Sequence, residues 1–151
     1  MKKILTLLML LAAARSFAQT DEEQIKATIN QVFDGMRKSD SSLVRAALHH
    51  SCTLKSIGKD KTGEVRLQED AILGWLKQIG TKREGVIFNE KLTSYDIKVD
   101  GEMAIAWTPY EFYVNEKFNH CGVDVFTMMK TENGWKIIGI VDTRRKENCV
   151  K

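Results

Sequence analysis

HCGVDVFTMMKTENGWKIIGIVDT, spanning His120 to Thr143, decides the fold, because it holds two extended runs and the turn between them. Val and Thr occur in both runs, with Phe126 in the first and three Ile in the second, and such side chains suit a pleated, covered surface. Asn133-Gly134 sits between them, a dipeptide that accepts the positive φ angles of a two-residue hairpin loop. The stretch therefore predicts antiparallel strands over His120–Lys130 and Trp135–Thr143. Apolar residues fill both alternating sets through the middle of each run, so both faces of the sheet should be covered.

Upstream, Met103–Val114 is a third run, joined to His120 by the turn NEKFN. Asp100-Gly101 marks a second hairpin with Tyr95–Val99, and Val86–Leu92 is extended as well. Pro109, the one proline of the chain, lies inside the third run. Lacking an N–H, it marks an edge or a bulge there. Before Gly80 the period changes to helical. Thr20 and Glu23 form a capping box ahead of Ile25, Ile29, Val32, Phe33 and Met36. A second helix runs from a cap at Ser39 or Asp40 to Leu48, and Cys52–Arg66 suits a short hairpin or loop. QEDAILGWLKQIG (68–80) reads as a third helix, opened by acidic residues and closed by Gly80. Three helices followed by an antiparallel meander give an α+β architecture.

With 151 residues, the chain has room for one domain and its core. Met1-Lys2-Lys3, an apolar stretch over Ile4–Ala14 and Ser16-Phe17-Ala18 together have the pattern of a secretory signal peptide. Residues 1–18 are expected to be removed, leaving 19–151 as a single domain that is periplasmic or secreted. The apolar stretch is too short to span a membrane, so no stable membrane anchor is expected. Lys2, Lys3 and Arg15 leave with the peptide, so 23 Lys and Arg become 20, against 20 Asp and Glu. A neutral domain without a Lys/Arg stripe is not a nucleic-acid binder. Absent HExxH, i,i+4 histidine pairs, EF-hand loops, phosphate loops and GxSxG elbows, no metal, cofactor, nucleotide or nucleophile-elbow chemistry is indicated.

The order of elements resembles the nuclear transport factor 2-like superfamily, also called SnoaL-like. WTPYEFY, FNHCGVDVF, NGWKIIGIVDTRR and the closing Cys149 resemble its secreted bacterial subgroup labelled "putative lumazine-binding". That resemblance implies a cone: three N-terminal helices packed on a strongly curved antiparallel sheet, with a pocket between. Members include isomerases, dehydratases, epoxide hydrolases and many proteins that only bind, and dimers are common. The resemblance raises the expectation of a pocket and does not choose a reaction.

Hairpin geometry places the polar residues. A loop at Glu116-Lys117 sets Tyr113 opposite His120, and a loop at Asn133-Gly134 sets Asp124 opposite Thr143. One face then carries Trp107, Glu111, Tyr113, His120, Asp124 and Phe126. The other carries Tyr110, Phe112, Cys121, Val123, Val125 and Asp142. A bulge at Pro109 would shift this register by one and bring Trp107 onto the side of Tyr110. Trp107, Tyr110, Glu111, His120 and Asp124 are the candidate ligand-binding residues. His120, Asp124 and Asp142 are the candidate acid/base groups: an imidazole titrating near neutrality, and carboxyls next to apolar runs. The alternatives are a solvated strand end for His120 and an ion pair with Arg144 for Asp142. Cys121 points away from His120, so the two form no nucleophile pair. It falls opposite Lys146, and a tail curling back would allow a Cys121–Cys149 disulfide.

The reading favoured is a homodimeric binding domain whose pocket takes a small apolar or aromatic ligand, without secured catalytic machinery. The alternative is a SnoaL- or ketosteroid-isomerase-like enzyme doing acid/base chemistry on a cyclic substrate. A third is an interaction protein whose cavity its own side chains fill.

Overall fold

A computed structural model describes residues 19–81 and 84–149. The expected signal peptide, residues 1–18, lies outside the described residues. Helix α1 (Asp21–Lys38) begins at the reciprocal Thr20/Glu23 capping box, with Thr20 N–H donating to Glu23 at 2.9 Å and Glu23 N–H to Thr20 Oγ1 at 3.2 Å. Its apolar stripe, Ile25, Ile29, Val32 and Phe33, is buried. Ser39, in the left-handed region at φ 52°, turns the chain into α2 (Ser41–Ala47). Asp40 caps α2 by accepting from Ser42 and Leu43 N–H. Gly35 lets the two helices meet: a β-carbon there would stand 2.5 Å from Val44 Cγ2 and 2.8 Å from Asp40 O.

Two strands follow, β1 (Leu48–Lys59) and β2 (Val65–Asp70), then α3 (Ile72–Gly80). The third helix thus follows a hairpin, and Gln68–Asp70, expected to open it, belong to β2 instead. Helix α3 consequently starts at Ala71 without a side-chain cap. The remaining strands are β3 (Phe88–Leu92), β4 (Asp96–Asp100), β5 (Met103–Val114), β6 (Lys117–Thr131) and β7 (Gly134–Thr143).

The sheet is mixed and open, in the order β2-β1-β7-β6-β5-β3, with β4 also on β5. The wholly antiparallel expectation fails at one place. Strand β1, expected as a short loop or hairpin, is twelve residues long and pairs in parallel with β7, Leu54 against Ile140 and Ser56 against Asp142. Pro109 sits where the outer neighbour of β5 changes from β4, ending at Asp96–Trp107, to β3, starting at Leu92–Tyr110. A missing N–H is harmless at such a handover, and the Pro109 carbonyl accepts from Thr93 N–H at 2.9 Å.

The three helices cover one sheet face. Ile25, Ile29, Val32, Phe33, Val44, Leu76 and Ile79 pack with Leu54, Ala104, Ala106, Phe126, Met128, Ile137 and Ile140 in one core. Each large side chain removed from water there stabilises the fold by roughly 1.5–3 kcal/mol. The opposite face carries Met103, Ile105 and Trp107, all exposed. Among the described residues no helix is long and apolar enough to cross a membrane.

Candidate functional site

Between the helices and the covered sheet face lies a cavity of about 450 Å³. Helix α1 supplies Val32, Phe33 and Met36; Ala71, Gly74, Trp75 and Ile79 come from the start and inner side of α3. Leu54, Phe112, Phe126 and Ile140 form an apolar floor. These helical residues recur at core spacing, so the faces that build the core also build the cavity wall.

Besides Gln68 and Asp70 of β2 and Gln78 of α3, a cluster of polar groups enters this apolar enclosure. Glu90 of β3, Tyr110 of β5, His120 and Asp124 of β6, Asp142 of β7 and Arg144 just beyond it all line the cavity. Asp124 and Asp142 are each only 5% exposed. Asp142 is fully engaged: Ser56 donates to its Oδ1, Arg144 Nε to its Oδ2 at 2.7 Å, and Tyr110 O–H approaches that oxygen at 3.5 Å. Arg144 also reaches Ser56 Oγ at 3.2 Å. The Tyr110 hydroxyl donates to Thr143 O at 2.9 Å. It gets there by crossing over Gly122, where a β-carbon would come within 2.7 Å of the phenol ring and 1.8 Å of Thr143 O. Burial and the nearby carboxylates push the Tyr110 phenol pKa up, so it remains a neutral donor.

Asp124 is different. Its Oδ2 is buried and meets no donor among the described residues. Glu90 is the group beside it, and burial plus the neighbouring acid raises both carboxyls: Glu90 to about 7, Asp124 well above the carboxylate range. Two such groups in contact cannot both ionise cheaply, so a proton held between them is favoured near neutrality. Glu90 keeps some contact with solvent through the cavity, yet the protein around its carboxyl governs its protonation. His120 stacks on Phe112 at 4.9 Å, meets Tyr110 edge-on at 5.7 Å and shares a hydrogen bond with Asn119 at 2.8 Å. Burial and then the Arg144 charge lower its pKa, so it is neutral at pH 7.

The expected residues divide. Tyr110, His120, Asp124 and Asp142 share the cavity face; Trp107, 53% exposed, and Glu111 stand on the other face, where Glu111 accepts from Tyr113 O–H at 2.6 Å. Two bulges account for the exchange. The β5–β6 loop is Asn115-Glu116, both at positive φ, and Tyr113 pairs with Phe118 while Phe112 pairs with His120. Asn119 is therefore an extra residue, and it moves Tyr110 and Phe112 onto the face of His120. Between β6 and β7, Met128 pairs with Ile137 but Thr127 with Gly139, so Ile138 is extra and Asp142 arrives opposite Asp124. Cys121 lies on the far face, disulfide-bonded to Cys149 with Cα atoms 5.7 Å apart, and Cys52 is free and buried.

Glu90 and Arg144 are groups of this polar cluster that the candidate set lacks. Glu90 was legible in principle: in FNEKL, period two puts it on the face of Phe88 and Leu92, an acid inside an apolar stripe. Chemically, the arrangement offers an apolar and aromatic enclosure, a neutralised Asp142–Arg144 corner and an acid pair whose protonation changes near neutrality. His120 is a weak base here, and Asp142 is held in an ion pair.

The fold is shared with solved structures at low identity. An NTF2-like protein of unknown function from Shewanella baltica is 17% identical, with TM-score 0.60, covering 86% of this chain and 100% of its own. An NTF2-like protein with a cystatin-like fold from Novosphingobium aromaticivorans is 14% identical, with TM-score 0.65 and coverages of 85% and 84%. A protein from Streptomyces avermitilis described as a "putative dehydratase from the NTF2-like family" is 12% identical, with TM-score 0.62 and coverages of 83% and 96%. No protein of curated function matches the sequence. The family model described as "Putative lumazine-binding" matches residues 20–141, from the cap of α1 into β7, and the chain belongs to that family.

Proposed function

We propose that this protein is an exported binding domain whose cavity holds a small molecule with a largely apolar or aromatic body. The observation that carries the reading is an apolar and aromatic cavity of about 450 Å³, within the size range of small-molecule sites, with its charged groups carried on the sheet side. Membership of a family named for binding supports it. Export through residues 1–18, a sheet curved around the cavity and a homodimer formed through the exposed sheet face belong to the same reading.

Gly74 offers a direct test, because it lines the cavity and a β-carbon there meets nothing within 4 Å. Gly74→Trp should fill the cavity mouth and leave the fold intact. Small aromatic molecules that raise the melting temperature of the wild type should then leave that of the variant unchanged. Equal stabilisation of both proteins would place the binding elsewhere and refute the reading.

One observation favours an acid/base enzyme as a second reading: the Glu90–Asp124 pair, with Glu90 raised to about 7, suits proton transfer near neutral pH. The acid/base groups would then be Glu90 and Asp124, in place of His120 or Asp142. Deuterium washed from solvent into a bound molecule by the wild type, and not by Glu90→Gln, would favour it. A molecule that stays unlabelled favours binding alone.

A further inference from the structure

We propose that the cavity selects a cationic ligand, one that presents N–H donors of a protonated amine or amidinium to Asp124 and carries an aromatic or other apolar body. Asp124 is 5% exposed, and its Oδ2 has no donor among the described residues. An acceptor buried without a donor is destabilising, and more so when charged. Among the described neighbours only Glu90 can supply one, through the proton the two acids share; the others are committed. Arg144 is taken up by Asp142 and Ser56, Tyr110 donates to Thr143 O, and the neutral His120 is engaged with Asn119.

Charge points the same way. Glu90, Asp124 and Asp142 face the cavity against one guanidinium, Arg144, and Asp70 of β2 lies on its lining as well. Even with one proton held between Glu90 and Asp124, the enclosure is net negative. An anion entering it is repelled, and a neutral molecule without a donor leaves Asp124 as it was. A cation with N–H groups satisfies Asp124 by a charge-assisted hydrogen bond. The rings of Phe33, Trp75, Phe112 and Phe126 around the same space favour a cation and its apolar body together. The cation takes the place of the shared proton, which leaves to solvent. This ligand class rests on the cavity being a ligand site, and the test separates the two.

Benzamidine, benzamide and benzoate are matched probes: cationic, neutral and anionic on one ring. Each is titrated calorimetrically into the mature protein at pH 6, in two buffers of different ionisation enthalpy. Benzamidine should bind at least about tenfold more tightly than benzamide, benzoate should not bind, and about one proton should be released per benzamidine. Asp124→Asn, with its folding checked by circular dichroism, should abolish the preference for benzamidine. Glu90→Gln should remove the proton release while keeping benzamidine bound to Asp124. Benzamide or benzoate binding as tightly as benzamidine, or benzamidine binding without proton release, overturns the cationic class and leaves the cavity reading standing. No binding of any probe, together with no stabilisation of the wild type by any aromatic molecule, overturns both.

Discussion

Asp124 concentrates the physics of the site in one side chain. A carboxylate this deep is tolerated because Glu90 shares a proton with it, and the two raise one another through burial and repulsion. The sign of the resulting pH dependence is fixed. Glu90 moves from an ordinary 4.5 up to about 7, so between those values the folded protein holds more protons than the unfolded chain. Stability must therefore fall as pH rises through that window. Asp124→Asn should flatten the slope and raise stability at pH 8 by about 1–3 kcal/mol, since it removes a buried charge. Urea unfolding of wild type and variant from pH 4.5 to pH 8 measures this; parallel curves would mean that the pair holds no extra proton.

At the scale of elements, the sequence reported what each segment is better than which way it faces. The capping box, the helical stripe of α1 and the run Met103–Val114 follow from local chemistry, and they fold as that chemistry dictates. The hairpin loops at Asn115-Glu116 and before Gly134 lie one residue from the turns expected, a slip that moves the pair register by two and preserves the faces. What reversed the faces was the pair of bulges at Asn119 and Ile138. Neither residue differs from an ordinary strand residue, so no local signal announces them. The parallel pairing of β1 with β7 was illegible for another reason: it is a long-range choice that no local pattern encodes. That is why His120 and Asp124 lie on the cavity face while Trp107 and Glu111, expected beside them, lie on the other, and why Glu90 is absent from the candidate set. Beyond β7, the tail is fixed by reciprocal hydrogen bonds of 2.8 Å between Cys121 and Arg145, and by the Cys121–Cys149 disulfide. That bond closes a loop of sequence separation 28, for which the chain-entropy model gives about 3–4 kcal/mol. Cys149→Ser should lower the stability of the oxidised protein by about that amount in urea denaturation. An unchanged midpoint would show that the tail is held without the bond.

For the whole molecule, the two sheet faces have different roles. Helices and cavity occupy one, and the other leaves Met103, Ile105 and Trp107 in water. Exposed apolar residues grouped on a sheet face mark an association surface, and a second copy is the partner proposed for it. Trp107→Glu should weaken the dimer more than tenfold, since a central tryptophan commonly contributes 2 kcal/mol or more, roughly, to an interface. Light scattering at micromolar concentration should report a dimer for the wild type and a monomer for the variant. A monomeric wild type would refute that surface assignment without touching the cavity. The cavity itself is the central claim, and native mass spectrometry of protein purified from its own cell envelope tests it most directly. The account predicts that the mature wild type carries a small molecule, released on unfolding and missing from Gly74→Trp. Wild type and variant that both weigh only what their sequences require would contradict it.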